Sequence, residues 1–216
     1  LQDAITSIQA SAKAVVRIWE DFTALAKLVL PNTGTHITID GSKKYKLAFT
    51  GDVVDIIDDQ HFGFIDMVEV NGGAIRLNGA TAEVDLESNQ SILGELVVDA
   101  GASALIDRTA LNGSTGNPGI TINSLTTSVI IGYAKIEGAV GQPAIEINVV
   151  CDDQLKIKFS SLVSGTPATI APITYTGVGK VDIAVYNTGL SGSWNPADVN
   201  NTIGSPNLTT DPNITF

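Results

Sequence analysis

The richest concentration of groups able to move a proton lies between Gly51 and Glu69, where Asp52, Asp55, Asp58, Asp59, Asp66 and Glu69 surround His61. Asp58 and Asp59 beside His61 supply the residue types for an acid, a base and an orienting group, which bond-cleaving general acid–base chemistry requires. Adjacent residues of a strand point to opposite faces, however, so these two aspartates do not converge on one bond. A solvated acidic turn between strands accounts for the cluster. No catalytic set is therefore expected, and Asp58, Asp59 and His61 form the alternative. The spacing also lacks the alternating oxygen ligands and central glycine of an EF-type calcium loop. The other histidine, His36, lies 25 residues before His61. That separation leaves little for a histidine-based centre, so neither a metal site nor a cofactor is expected. Asp152 and Asp153 follow Cys151 at a corner and meet the same geometrical objection. Cys151 itself, after Val149 and Val150 and without a basic neighbour, reads as a buried inert thiol. Arg76 alternates with Ile75 and Leu77, which points it outward, toward an ion pair or a sugar. Tyr133, Tyr175, Tyr186 and Trp194 are the aromatic candidates for stacking on a sugar ring.

The chain that must position these groups has 216 residues, 44% of them hydrophobic, enough for a large core. Its net charge is −11, from 12 bases and 23 acids, which argues against phosphate-driven nucleic-acid binding. The acid excess is local: residues 31–110 hold five bases and thirteen acids. One cysteine excludes a disulfide framework within the chain. The first residue is Leu1 and the only methionine is Met67, so the sequence reads as a processed product or a piece of a longer chain. It holds no 18-residue uncharged apolar run, and no membrane insertion is expected. Sequons at Asn200, Asn207 and Asn213 fall in an Asn- and Thr-rich stretch whose composition explains them.

Three segments follow from periodicity. Leu1, Ile5, Ile8, Ala12, Val15, Trp19, Phe22, Ala26 and Val29 succeed one another at alternating steps of four and three. This heptad pattern predicts a helix over residues 1–30 that oligomerises as a coiled-coil stalk, stopped by Pro31, Asn32 and Gly34. From Gly34 onward the period becomes two, in short β-branched runs bounded by Gly, Asn or Asp. Within them Gly116-Asn-Pro-Gly-Ile-Thr-Ile-Asn123 returns as Gly141-Gln-Pro-Ala-Ile-Glu-Ile-Asn148, and Gly165-Thr-Pro-Ala168 repeats the opening. Gly73-Ala-Ile-Arg-Leu-Asn78 matches the second half. A shift of 25 residues predicts stacked units over 35–186: a mainly β, parallel β-helix of about seven turns. Ile120/Ile122 and Ile145/Ile147 should stack as interior ladders, with Asn123 and Asn148 at a corner. An antiparallel sandwich gives no reason for such a repeat. Residues 187–216 carry few aliphatics and read as an extended strap or linker, anchored by Trp194, Ile203, Leu208, Ile214 and Phe216.

The Gly-x-Pro-Ala-Ile-x-Ile-Asn rung, with Thr127-Ser-Val-Ile-Ile-Gly-Tyr-Ala-Lys-Ile-Glu-Gly138 after it, resembles the turns of pectin-lyase-like right-handed β-helices. A helical stalk leading into such a body resembles bacteriophage tail fibres and tailspikes. That resemblance implies a homotrimer in the virion, associated with other fibre proteins and binding a host surface glycan without cleaving it. Arg76, Tyr133, Tyr175 and Trp194 would be the residues to meet that glycan. Two alternatives share the fold: a polysaccharide-degrading β-helix using the 52–69 acids, and a bacterial adhesin on the cell surface.

Overall fold

Alternation of buried and half-buried residues runs the whole length of Thr35–Asp40, and the same two-residue period recurs along the chain. Strands this short become stable only by stacking, because none can cover its apolar side alone. The computed structural model describes residues 1–8, 12–31, 34–124, 126–149, 155–158, 160–165, 172–175, 182–186, 189–191 and 207–210. They form a parallel β-solenoid of about six turns.

A short helix, α1 (Gln2–Thr6), comes first, followed by β1 (Lys13–Arg17) and β2 (Phe22–Leu25). The first full turn is β3 (Thr35–Asp40), β4 (Lys46–Phe49) and β5 (Val54–Ile56). The second is β6 (Gln60–Ile65) and β7 (Glu69–Leu77), the third β8 (Glu83–Glu87) and β9 (Ile92–Val98). Next come β10 (Ser103–Asp107), β11 (Ala110–Asn112) and β12 (Ile120–Ile122), then β13 (Ser128–Gly132), β14 (Lys135–Glu137) and β15 (Ile145–Ile147). The sixth turn is β16 (Leu155–Lys158), β17 (Ser161–Val163) and β18 (Ile173–Tyr175). Beyond it lie β19 (Asp182–Tyr186), β20 (Gly189–Ser191) and β21 (Asn207–Thr210).

The first strand of each turn joins one nine-stranded parallel sheet. The remaining strands make a twelve-stranded sheet that serves two sides of the coil. It is continuous because β7 and β9 run through the corner: Val70 and Asn71 pair with Ile92 and Leu93, and Ala74–Leu77 with Glu95–Val98. The bend is a bulge that sets Gly72 and Gly73 against Gly94. A Cβ on Gly94 would sit 2.5 Å from the Gly73 carbonyl oxygen, so only glycine allows this approach.

Interior positions stack in register. On the first face Ile37, Phe62, Val84, Ala104, Val129 and Leu155 form one column; Ile39, Phe64, Leu86, Ile106, Ile131 and Ile157 form the next. All are buried. Ile120 lies over Ile145 and Ile122 over Ile147, all four buried, which is the ladder that the repeat predicts. Turn length varies from 20 residues, between Glu83 and Ser103, to 28, between Leu155 and Ile183.

The described residues do not form the coiled-coil stalk. Helix α1 ends at Thr6, and β1 pairs with β3 over its whole length, Lys13 beside His36 through Arg17 beside Asp40. The nine heptad residues do not share a fate. Ile5 is fully buried, and Leu1, Ile8 and Phe22 pack on the same core. Ala12 is half-buried and Ala26 exposed, while Val15, Trp19 and Val29 stand 65%, 76% and 67% exposed. The segment Ala14–Ile18 is β-branched at three positions, which favours a strand over a helix, and the edge of β3 supplies it with ladder partners. Helix α1 instead covers the end of the coil. Gln2 accepts from the Val29 N–H at 3.0 Å and donates to the Val29 carbonyl at 2.8 Å, holding Ile5 against the core. Among the described residues no helix is long and apolar enough to cross a membrane. Cys151, Asp152, Asp153 and the strap anchors Trp194, Ile203, Ile214 and Phe216 lie outside the described residues.

Candidate functional site

Outward positions of the first sheet line up in columns just as the inward ones do. One column reads Lys13, His36, His61, Glu83, Ser103 and Ser128; the next reads Val15, Thr38, Gly63, Asp85, Leu105 and Ile130. Parallel stacking thus places His36 directly beside His61. Their rings lie 3.7 Å apart between centroids and 15° from parallel. The 25 residues that separate the two histidines in sequence are one turn of the coil, so a separation that read as leaving little for a histidine-based centre brings the two rings together.

Carboxylates from the following turn hold His61 on both nitrogens. Asp85 Oδ2 is 2.7 Å from Nε2, and Glu83 Oε2 is 3.1 Å from Nδ1. A carboxylate only accepts, so a ring nitrogen facing one either donates a proton to it or shares a cation with it. His36 is held less firmly, its Nε2 3.4 Å from Thr38 Oγ1. Burial lowers the His36 pKa below 6.5, and the neighbouring His61 and Lys13 push it the same way. One nitrogen of each ring and one oxygen of Asp85 lie within 4.8 Å of one another, the one such group of potential metal ligands among the described residues. Gly63 occupies the column position between Thr38 and Asp85, so no side chain stands between them there. A cavity of about 490 Å³ opens along the Lys13, His36, His61 and Glu83 column, with Asp59 and Thr81 at its edge. A second, of about 430 Å³, flanks His36 on the side of Val15, Thr38 and Asp85.

The sequence candidates fall in different places. Asp58 and Asp59 make the turn between β5 and β6, both exposed, with Asp59 at φ 59°. They clip the coil to its next turn: the Thr81 hydroxyl donates to Asp59 Oδ1 at 3.0 Å, and the Asp59 N–H donates to Thr81 Oγ1 at 2.8 Å. Asp59 shares the larger cavity with His61, whereas Asp58 is not part of its lining. Arg76 points outward on β7, as alternation predicts, and pairs with Asp99 at 2.6 Å. Asp99 also accepts from Asn123 at 2.8 Å, and Asn123 accepts from Asn148 at 2.9 Å. Burial raises the Asp99 pKa, but its bonds from Asn123 and Arg76 outweigh that and hold it below 3.8. On the same side Glu95 accepts from the Thr121 hydroxyl, and burial pushes its pKa above 4.5. Tyr133 sits at a corner with φ 51°, 64% exposed. The backbone of Tyr175 is in β18 and that of Tyr186 in β19; their side chains and all of Trp194 lie outside the described residues.

The grouping of His36, His61, Glu83 and Asp85 is what sequence reasoning missed. The 25-residue repeat carried the signal, because it marks residues one period apart as neighbours.

The fold and this face define a parallel β-solenoid protein with a histidine–carboxylate cluster on its first sheet. Comparison with protein-family models, with curated proteins and with solved structures gave no match.

Proposed function

We propose that the protein is the β-solenoid part of a surface-attachment fibre of the bacteriophage tail-fibre or tailspike type. In this reading it is a homotrimer of right-handed, pectin-lyase-like coils that engages a host surface glycan without cleaving it. One observation carries the non-catalytic part: outward charges are used to staple one turn to the next. Arg17 pairs with Asp40, Lys27 with Asp55, Lys43 with Asp66, Lys46 with Glu69 and Arg76 with Asp99. In each pair the acid lies one turn after the base. Such ladders suit a rod that must resist shear more than a cleft that must release a product.

The test has two arms. Mass measurement in solution is expected to give three chains of 22.5 kDa, and a stable monomer refutes the trimer. Incubation with host capsular glycans is expected to leave their chain length unchanged.

A polysaccharide-degrading solenoid is the second reading, and the cavity that Asp59 and His61 share with Glu83 favours it. Depolymerisation by the wild type that disappears in Asp59→Ala and His61→Ala would establish it and remove the first.

A further inference from the structure

His36, His61 and Asp85 come from three successive turns, and their donor atoms already lie within 4.8 Å of one another. Three further features point from this proximity to a ligand. Glu83 stands 3.1 Å from His61 Nδ1 while Nε2 faces Asp85. Metal-ligating histidines are oriented in this way, with the second ring nitrogen donating to a carboxylate. Gly63 removes the side chain that would otherwise stand between Thr38 and Asp85, the column into which these Nε2 atoms face. The cavities on either side of His36 give solvent a route to the spot.

We propose that His36, His61 and Asp85 bind one divalent transition-metal cation of the zinc, nickel and copper class, with Glu83 orienting His61. Two imidazole nitrogens and a carboxylate oxygen suit these cations, whereas calcium and magnesium take oxygen shells. Three protein ligands leave a fourth position, which a water reaches from the cavity. The stacked rings lie in nearly parallel planes, and a cation must sit in the plane of both. Binding therefore turns one ring out of the stack. His36 is that ring, since its contact to Thr38 is the weaker one at 3.4 Å and His61 is held on both sides.

Calorimetric titration of the whole chain with Zn²⁺, in a millimolar excess of Mg²⁺ to occupy ordinary surface carboxylates, is expected to show one saturable site per chain. His36→Gln and Asp85→Asn both abolish it, and Glu83→Gln weakens it by about 10–100-fold. With Co²⁺ in place of Zn²⁺, the wild type gives the intense visible absorption of a four-coordinate site, and His36→Gln loses it. The three positions face outward, and circular dichroism establishes that each variant is folded. Two ligand variants on different strands keep the test decisive if one of them does not fold. Absence of a saturable site in the wild type overturns the proposal, as does a site that survives either ligand substitution. Unchanged affinity in Glu83→Gln overturns the orienting role of Glu83.

Discussion

Replacing Ile5 by alanine separates an end cap from a stalk. The Ile5 side chain is fully buried, on a five-residue helix held to the body by the paired bonds between Gln2 and Val29. Alanine removes three carbons, worth about 2.4 kcal/mol at 0.8 kcal/mol each. The cavity left behind raises the cost toward the 2–5 kcal/mol range of such truncations. In a solenoid each turn contacts only its neighbours, so the loss appears first as opening of the nearest turns. A loss of 2.4 kcal/mol increases that opening about 60-fold. Hydrogen exchange followed by mass spectrometry reads this directly. Amides of β1 and β3 should exchange faster by about that factor, while those of β13 and β15 keep their protection. Trp19→Ala is the control: at 76% exposure it should change stability by less than about 0.5 kcal/mol. A coiled coil predicts a cost at both positions, since both residues would lie in its seam and both substitutions would dissociate it. Equal cost at Ile5 and Trp19, or a loss of protection spread evenly over all turns, would refute the cap.

Glu95→Gln should raise the melting temperature at neutral pH. Burial lifts the folded carboxyl above its ordinary 4.5, so the folded chain binds more protons than the unfolded one in that window. Stability is then lost as pH rises from below 4.5 through the raised value, and the gain from glutamine should grow across that interval and vanish in acid. Melting curves against pH check it, and a gain that persists below pH 4.5 counts against the assignment to Glu95. Gly138→Ala should cost about 1–3 kcal/mol in chemical denaturation. Its Cβ would collide with the Pro143 carbonyl oxygen, a backbone atom that cannot step aside alone. A neutral result would mean that the corner is looser than the structure has it.

The body of the fold was legible because stacking imposes identical chemistry at equal intervals. Ile120, Ile122, Ile145 and Ile147 had to be alike for their columns to close, and they were visible as a repeated motif. Gly116 and Gly141 share φ 83°, so the same left-handed position called for the same residue in both turns. The N-terminal thirty residues depart from the heptad expectation for a related reason. Steps of four and three follow helical spacing, but Lys13, Val15 and Arg17 also alternate with Ala14 and Val16. Two periods fitted one segment, and the sheet edge at β3 decided between them. Nothing local to residues 1–30 contained that edge.

The histidine cluster was hidden by the opposite property. Outward residues need not resemble those one turn away; they need only complement them. His61 beside Asp85 and Arg76 beside Asp99 show no motif, each pair separated by 23 or 24 residues, and His36 beside His61 is a single identity at the period, too little to stand out as a repeat. Complementarity at the period is nevertheless readable once the period is known. Every base in the turn-to-turn pairs has its acid 23 to 28 residues later, at Asp40, Asp55, Asp66, Glu69 and Asp99. These acids are five of the thirteen in residues 31–110, and they answer cations that begin as early as Arg17. The acidic stretch thus marks the turns onto which the preceding ones are fastened. Glu83 and Asp85 belong to the same pattern, except that they face an imidazole, which can exchange a proton for a metal ion. That substitution turns one step of a structural ladder into a place where a ligand can bind.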